Sequence, residues 1–353
     1  MGDTMRAAVF EKPGQIELQT VERPLPGEGE LVLRVHAASI CATDLKIVAN
    51  GHFKIPPGTR RVLGHELAGV VVASTSADPP VAIGQRMSVA PNIGCGQCEV
   101  CVQGLDHLCP HYEALGITRD GGLAEYVRIP QAAVRRGQAT PIPDDLSFEE
   151  AALVEPMSCV FNAHEAVETG GGDRVLIFGA GPMGLMHVQM ARALGASVVV
   201  AVDPLENRRR QALSFGADGA VEPNDVGSAS QRFTGGRGFD VVVVAVPSPE
   251  AQSQALEVAA VRGRINLFAG LPGSAGSALL DTNRVHYRQL TLTGTTGSSV
   301  FQYRRTMELA SSGRLKLRAF ISDRFPLAAI HAALGRARSG EAIKVVVDPT
   351  AGP

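Results

Sequence analysis

Hydrophobic and polar positions change rhythm twice along the chain. Up to about residue 155, short alternating or apolar runs (5–10, 30–37, 67–73) are broken by Pro and Gly at 24–29, 56–58 and 78–80. Short strands punctuated this way predict a barrel-like β domain. Ser147-x-x-Glu150 has the form of a capping box and predicts a helix opening near Glu149. After three glycines at 170–172 the chain alternates apolar runs with helical spacing. Strands are expected at 174–178, 197–202, 240–246, 264–269 and 290–294, and helices at 183–194 and 206–215. Strands alternating with helices predict a parallel sheet covered on both faces. Beyond about Val300 the pattern is mixed again, and the last apolar run, 342–347, is expected to pair back with the first domain.

Composition narrows the class. The 353 residues are 45% apolar and 19% charged, enough apolar material for a packed core. At roughly 150 residues per domain, two domains are expected. No run of about 18 apolar residues predicts a membrane span. The opening residues lack the basic-then-apolar layout of a signal peptide, so a cytoplasmic location is expected. A formal net charge of -2 argues against nucleic acid as a partner.

Three groups of residues carry candidate chemistry. The first is Gly179-Ala-Gly181-Pro182-Met183-Gly184, placed after a predicted strand and opening a predicted helix. In that context Gly179 permits the tight turn, Gly181 lets backbone approach a pyrophosphate, and Gly184 lets the helix pack on the strand. The helix N-terminus offers its N–H groups to the phosphates. Asp203 closes the next apolar strand, where its carboxylate would accept both ribose hydroxyls and repel a 2′-phosphate. NAD is therefore expected ahead of NADP. Arg208, with Arg209 and Arg210 beside it, tempers this, since a cation there would pair with such a phosphate.

The second group is Cys95-x2-Cys98-x2-Cys101-x7-Cys109. Four thiolates so spaced suit a closed tetrahedral zinc site. An iron–sulfur cluster, a nucleic-acid-binding zinc ribbon and a pair of disulfides are the competing readings. The bacterial ferredoxin run has three residues before its last cysteine rather than seven. The third group is dispersed: Cys41, the Gly-His65-Glu66 step, and Glu155 before a proline. Singly each has an ordinary structural explanation. Together they offer one soft and two or three harder ligands, a set that fits catalytic zinc with an open position.

These motifs resemble, in identity and order, the zinc-dependent medium-chain dehydrogenases, the alcohol and polyol dehydrogenase superfamily. The residues concerned are Cys41-Ala-Thr43-Asp44, Gly64-His65-Glu66, the four-cysteine lobe, Glu155-Pro156, Gly179 to Gly184, and Asp203. Glu155-Pro-Met-Ser resembles the sorbitol and threonine dehydrogenase branch. The resemblance implies an α/β protein in which a doubly wound Rossmann sheet, 157–297, is inserted into a chaperonin-10-like β-rich catalytic domain. That domain would take residues 1–156, with a structural zinc lobe at 91–112, and 298–353, with the active site in the cleft. It implies one catalytic zinc on Cys41, His65 and Glu66 or Glu155, and one structural zinc on Cys95, Cys98, Cys101 and Cys109. Charge counting allows only one of the two glutamates as a permanent direct ligand; the second would bind through water or exchange. Thr43 would take the substrate's hydroxyl proton.

Lys46 stands where many relatives carry a histidine, and is expected to touch cofactor phosphate or a polar substrate group. Ile47 and Thr296-Gly297-Ser298 replace contacts that sorbitol dehydrogenases make to polyols. The activity implied is hydride transfer between a secondary alcohol (polyol, cyclitol or related small molecule) and NAD. An NADPH-linked carbonyl reductase and a non-catalytic dinucleotide-binding relative are the alternatives. Homodimers or homotetramers are implied, with 290–294 near the subunit contact.

Overall fold

The structure, a computed structural model, describes residues 3–271, 273 and 276–352. The chain separates into two compact units. One takes in the chain up to Pro156 and again from Ser298; the other takes in Met157–Gly297. Among the described residues no helix is long and apolar enough to cross a membrane.

The first unit is built on two sheets, antiparallel except where Ile321–Pro326 pairs parallel with Lys344–Asp348. Thr4–Lys12 turns at Gly14, in the left-handed region at φ 83°, and pairs with Gln15–Glu22. The larger sheet runs in the order Ala139–Pro141, Arg86–Val89, Glu66–Ser74, Leu31–Ser39, Lys344–Asp348, Ile321–Pro326. Tyr126–Ile129 also pairs with Leu31–Ser39. Register shifts near Val32 and Val35 bend the central strand, as bulges do. Leu31, Leu33, Leu67, Val71 and Leu123 are buried in the core this bend encloses. The capping box is formed as expected: Ser147 and Glu150 exchange bonds at the start of Phe148–Ala152.

The second unit is a six-stranded parallel sheet. Its order is Gly219–Val221, Val198–Val202, Arg174–Phe178, Phe239–Val244, Ala259–Leu267, Thr291–Gly294. The strand order reverses between Arg174–Phe178 and Phe239–Val244, the switch point where doubly wound sheets bind nucleotides. Val199 to Ala201 and Val241 to Val244 are fully buried, as strands covered on both faces must be. The strand expected at 264–269 begins earlier, at Ala259, and its first half is irregular, with Arg262 at φ 60°.

Two histidines lie in this unit's interior. His187 Nδ1 is 3.1 Å from His164 Nε2, and His164 Nδ1 is 2.9 Å from Thr169 Oγ1. Both rings are wholly buried, and the edge of one of two perpendicular rings, His187 and Phe268, faces the other at 4.6 Å between centroids. Burial draws His164 down to about 4 and His187 well below its ordinary value. The folded pKa is depressed, so stability is full above the unfolded value near 6.5 and is lost as pH falls toward 4. For His164 alone, acidification from pH 7.5 to 5 is expected to remove roughly 2 kcal/mol. Urea unfolding at the two pH values checks this. His187→Gln, which removes one titrating ring, should lose less; an equal loss would exonerate the pair.

Candidate active site and metal centres

The four cysteines of the lobe come together around one point. Their sulfurs lie within 4.8 Å of one another. Cys95 and Cys101 sulfurs are 4.0 Å apart, and those of Cys98 and Cys109 are 3.7 Å apart. A tetrahedron with zinc–sulfur bonds of about 2.3 Å has edges of about 3.8 Å. None of the six cysteines is joined in a disulfide, so the disulfide reading ends here. Backbone N–H groups aim at the sulfurs: Cys98 donates to Cys95, and Cys95 and His111 donate to Cys109, each at 3.4 Å. Amides of Gln97 and Cys98 draw the Cys95 thiol down to about 6. A Cβ on Gly94 would stand 2.6 Å from the Cys101 sulfur, so that position admits only glycine. The Arg136 guanidinium ties down the carbonyls of Gly94 and Cys95. The residues fit a structural zinc ion.

A second set of donors gathers inside the same unit. Cys41 is the N-cap of helix Ala42–Asn50. Gly64, at φ 90°, turns the chain into strand Glu66–Ser74, and His65 and Glu66 arrive beside Cys41. One donor atom from each of Cys41, His65 and Glu66 lies within 4.8 Å of the others. Asp44 is fully buried and organises the turn: it accepts from Cys41 N at 2.9 Å and Gly64 N at 3.2 Å, and lies 3.6 Å from His65 Nδ1.

Negative groups crowd this pocket. Burial pushes the His65 pKa down, but Cys41 and Asp44 prevail and raise it well above its ordinary value. Lys344 also reaches the pocket, with Nζ 2.8 Å and 2.6 Å from the two oxygens of Glu66. Thiolate, imidazole and carboxylate at this spacing fit a divalent ion with an open position.

The other expected site residues fall as follows. Glu155 is buried in the first turn of helix Val154–Ala166, outside the three-donor group, though its charge bears on Lys344 and Tyr303. Thr43 is half-buried and Lys46 exposed, both on the helix that Cys41 caps. The sequence carries Asp44 within the Cys41-Ala-Thr43-Asp44 motif without assigning it a role, and does not single out Lys344. Asp44 stands three residues after Cys41, the spacing of a capping box, and Lys344 is a lone cation inside an apolar run.

In the second unit Gly179 is in the left-handed region at φ 97°, and a Cβ on Gly184 would stand 1.8 Å from Gly179 O. Both glycines are thus required by the turn itself. At Gly181 a Cβ would meet only Arg208 Nη1, at 3.9 Å. That open side adjoins the N-terminus of helix Pro182–Ala193, with Pro182 and Met183 in its first turn. Backbone cleared of a side chain at a helix N-terminus fits a phosphate group. Asp203 is 2% exposed; its two oxygens accept from Ala180 N and Leu205 N, each at 2.9 Å. Arg208 Nη1 stands 3.8 Å from it.

Comparison with known proteins agrees with this geometry. Residues 27–144 match the alcohol dehydrogenase GroES-like domain, and residues 182–312 match the zinc-binding dehydrogenase family. The chain is 34% identical to L-threonine 3-dehydrogenase of Pyrococcus horikoshii over 92% of each chain. A putative zinc-binding dehydrogenase from Sinorhizobium meliloti 1021, solved with NADP, superposes with TM-score 0.88 at 30% identity, covering 99% of this chain and 100% of that one. An alcohol dehydrogenase from Escherichia coli CFT073, solved with NADH, gives TM-score 0.87 at 25% identity over 98% and 100%. The chain belongs to the zinc-dependent medium-chain dehydrogenase superfamily and is a zinc-dependent alcohol oxidoreductase.

Proposed function

We propose that the chain oxidises the secondary hydroxyl of a polyol, cyclitol or related small molecule, with NAD as hydride acceptor. The observation that carries this is the convergence of Cys41, His65 and Glu66 within 4.8 Å, three unlike donors that leave a metal ion a free position. Zinc held by these residues would supply Lewis acidity at the substrate oxygen, and a nicotinamide cofactor would supply the hydride acceptor. The chain's own residues do the rest. Asp44 orients His65, and Thr43 takes the hydroxyl proton. Glu66 and Glu155 share the carboxylate role at the metal, with Glu66 nearer the other donors. Lys46 contacts cofactor phosphate or a polar substrate group. Cys95, Cys98, Cys101 and Cys109 hold a second, structural zinc. Gly179, Gly181, Pro182, Met183 and Gly184 cradle the pyrophosphate.

The substrate class is bounded by what fills the polyol positions. Ile47 is 1% exposed and belongs to the core, so no hydroxyl-binding group stands there. Sorbitol itself is disfavoured, and a compact secondary alcohol fits better; the similarity to a threonine dehydrogenase accords with this. Screening polyols, cyclitols, amino alcohols and simple secondary alcohols for NADH absorbance tests the reading. Activity confined to primary alcohols would overturn it. Sheet-edge strand Thr291–Gly294, with Tyr287 80% exposed nearby, supports a homodimer or homotetramer, which sedimentation velocity checks.

The preference for NAD rests on Asp203, and Arg208 favours the second reading, an NADP-linked reductase. Asp203→Asn removes the charge and keeps one of the two oxygens that accept from Ala180 N and Leu205 N. A hydrogen bond to a charged group contributes about 1.5–3 kcal/mol. The variant is therefore expected to narrow the ratio of kcat/KM for NAD over NADP by roughly tenfold to a hundredfold. An unchanged ratio would deny Asp203 its ribose role.

A further inference from the structure

We propose that Lys344 is a positioning residue of the metal pocket, holding Glu66 as an exchangeable donor and keeping it from becoming a permanent ligand. The proposal rests on the reading of Cys41, His65 and Glu66 as that pocket, and deepens it.

The register of the C-terminal strand delivers the lysine. Val346 pairs with Ser39 and Val347 with Ala38, and Ile40 N donates to Val345 O at 2.9 Å. Lys344 is thereby laid beside the segment that ends in Cys41. Its Nζ donates to Ile40 O at 3.2 Å and to Glu66, and it is 5% exposed while Glu66 is 0% exposed. A buried ammonium is costly unless anions surround it. The anions that bear on it are Glu66, Cys41 and Glu155.

Charge then decides what Glu66 can do. Cys41 as thiolate, Glu66, Glu155 and Asp44 outnumber the two charges of a divalent ion, and Asp44 is already met by two backbone N–H groups. Lys344 offsets one of the excess charges, and it does so on Glu66. Without it, that carboxylate has the metal as its only cation and settles on the position a substrate oxygen needs. With it, the carboxylate has a cation on either side and shifts between them at small cost.

The test is metal release to excess chelator from the full-length protein, with the Cys41-dependent ion identified by comparison with Cys41→Ser. Lys344→Met is expected to slow release roughly tenfold or more, because the metal gains an undivided carboxylate. Replacing zinc with cobalt should show the same change as a shifted visible absorption band. Lys344→Arg, which keeps the charge, should release at the wild-type rate. Release unchanged by Lys344→Met overturns the proposal.

A second comparison decides even if that variant fails to fold. Adding Lys344→Met to Glu66→Gln should leave release as it is in Glu66→Gln alone. A roughly tenfold slowing there means the lysine acts on the metal directly, and also overturns the proposal. If Cys41→Ser leaves the metal content of the protein unchanged, the pocket itself is refuted. If a Cys41-dependent ion ignores Lys344, only the lysine's role is.

Discussion

Cys41→Ser is expected to lower kcat/KM by about a thousandfold or more, with the melting temperature nearly unchanged. The thiol is the only soft donor of its group, and it stands at the N-cap of helix Ala42–Asn50. Serine caps helices at least as well as cysteine, and Asp44 keeps its bond from the residue's backbone N–H. The local fold therefore survives. The metal loses its thiolate ligand, and an alcohol oxygen does not replace it. Even the outer partners of metal ligands carry about 10–100-fold effects, so a direct ligand carries more. About 4 kcal/mol of lost transition-state stabilisation is a thousandfold. Steady-state rates and metal analysis read the two halves together. Zinc should fall from two ions per chain to one. Retention of both ions, or a rate within about tenfold of the parent, would remove Cys41 from the site.

The sequence pattern reached far in the second unit, and the reason is physical. Its three central strands are buried on both faces and so are written as largely unbroken apolar runs; Arg174–Phe178 appears at its expected limits. The glycine turn was readable because two of its three glycines are forced, Gly179 by its left-handed backbone and Gly184 by the closeness of Gly179 O. In the same sheet, Gly219–Val221 is only three residues long and half-buried, too short for periodicity to announce it. In the first unit, helix Ala42–Asn50 was hidden for another cause. It buries only Asp44, Ile47 and Val48, and one of its core positions is a carboxylate. A pattern of apolar spacing does not register a buried acid.

The metal donors were legible as residue types, but their grouping was not. Cys41, His65 and Glu66 come from a helix cap and a strand entry, brought together because Ser39 pairs with Glu66 across two antiparallel strands. Lys344 enters through pairing with a strand some three hundred positions away, which no local rule encodes. Glu155 was weighed equally with Glu66 in the sequence. In the fold Glu66 joins Cys41 and His65 in the three-donor group and bonds Lys344 directly, while Glu155 stands outside that group and bears on the same lysine by charge.

Cys98→Ser should produce the opposite result to Cys41→Ser: a large loss of stability, with catalysis lost only as the fold is. The lobe has almost no regular structure to hold it. Its helix, Glu99–Val102, is four residues long and buries none of them. The thiols are joined by no disulfide. What organises the segment is convergence of four sulfurs, the N–H groups aimed at them, and Arg136 on the carbonyls of Gly94 and Cys95. In zinc-finger peptides such a site contributes about 10–16 kcal/mol of binding free energy, which is folding free energy. A three-thiolate remnant keeps part of this, so a loss of several kcal/mol is expected, on the order of half a small domain's margin. The damage would spread along a defined path. Burial raises the Asp106 pKa and the Val300 amide opposes it, so this lobe carboxylate adjoins the start of helix Val300–Ser311. Loosening the lobe uncouples that helix from its anchor. Thermal unfolding of zinc-loaded protein should show Cys98→Ser melting well below the parent and chelator lowering the parent toward it. Cys159→Ser, outside both metal groups, serves as the control for loss of a thiol alone. Equal melting temperatures for Cys98→Ser and Cys159→Ser would refute a structural zinc, whatever the metal content proved to be.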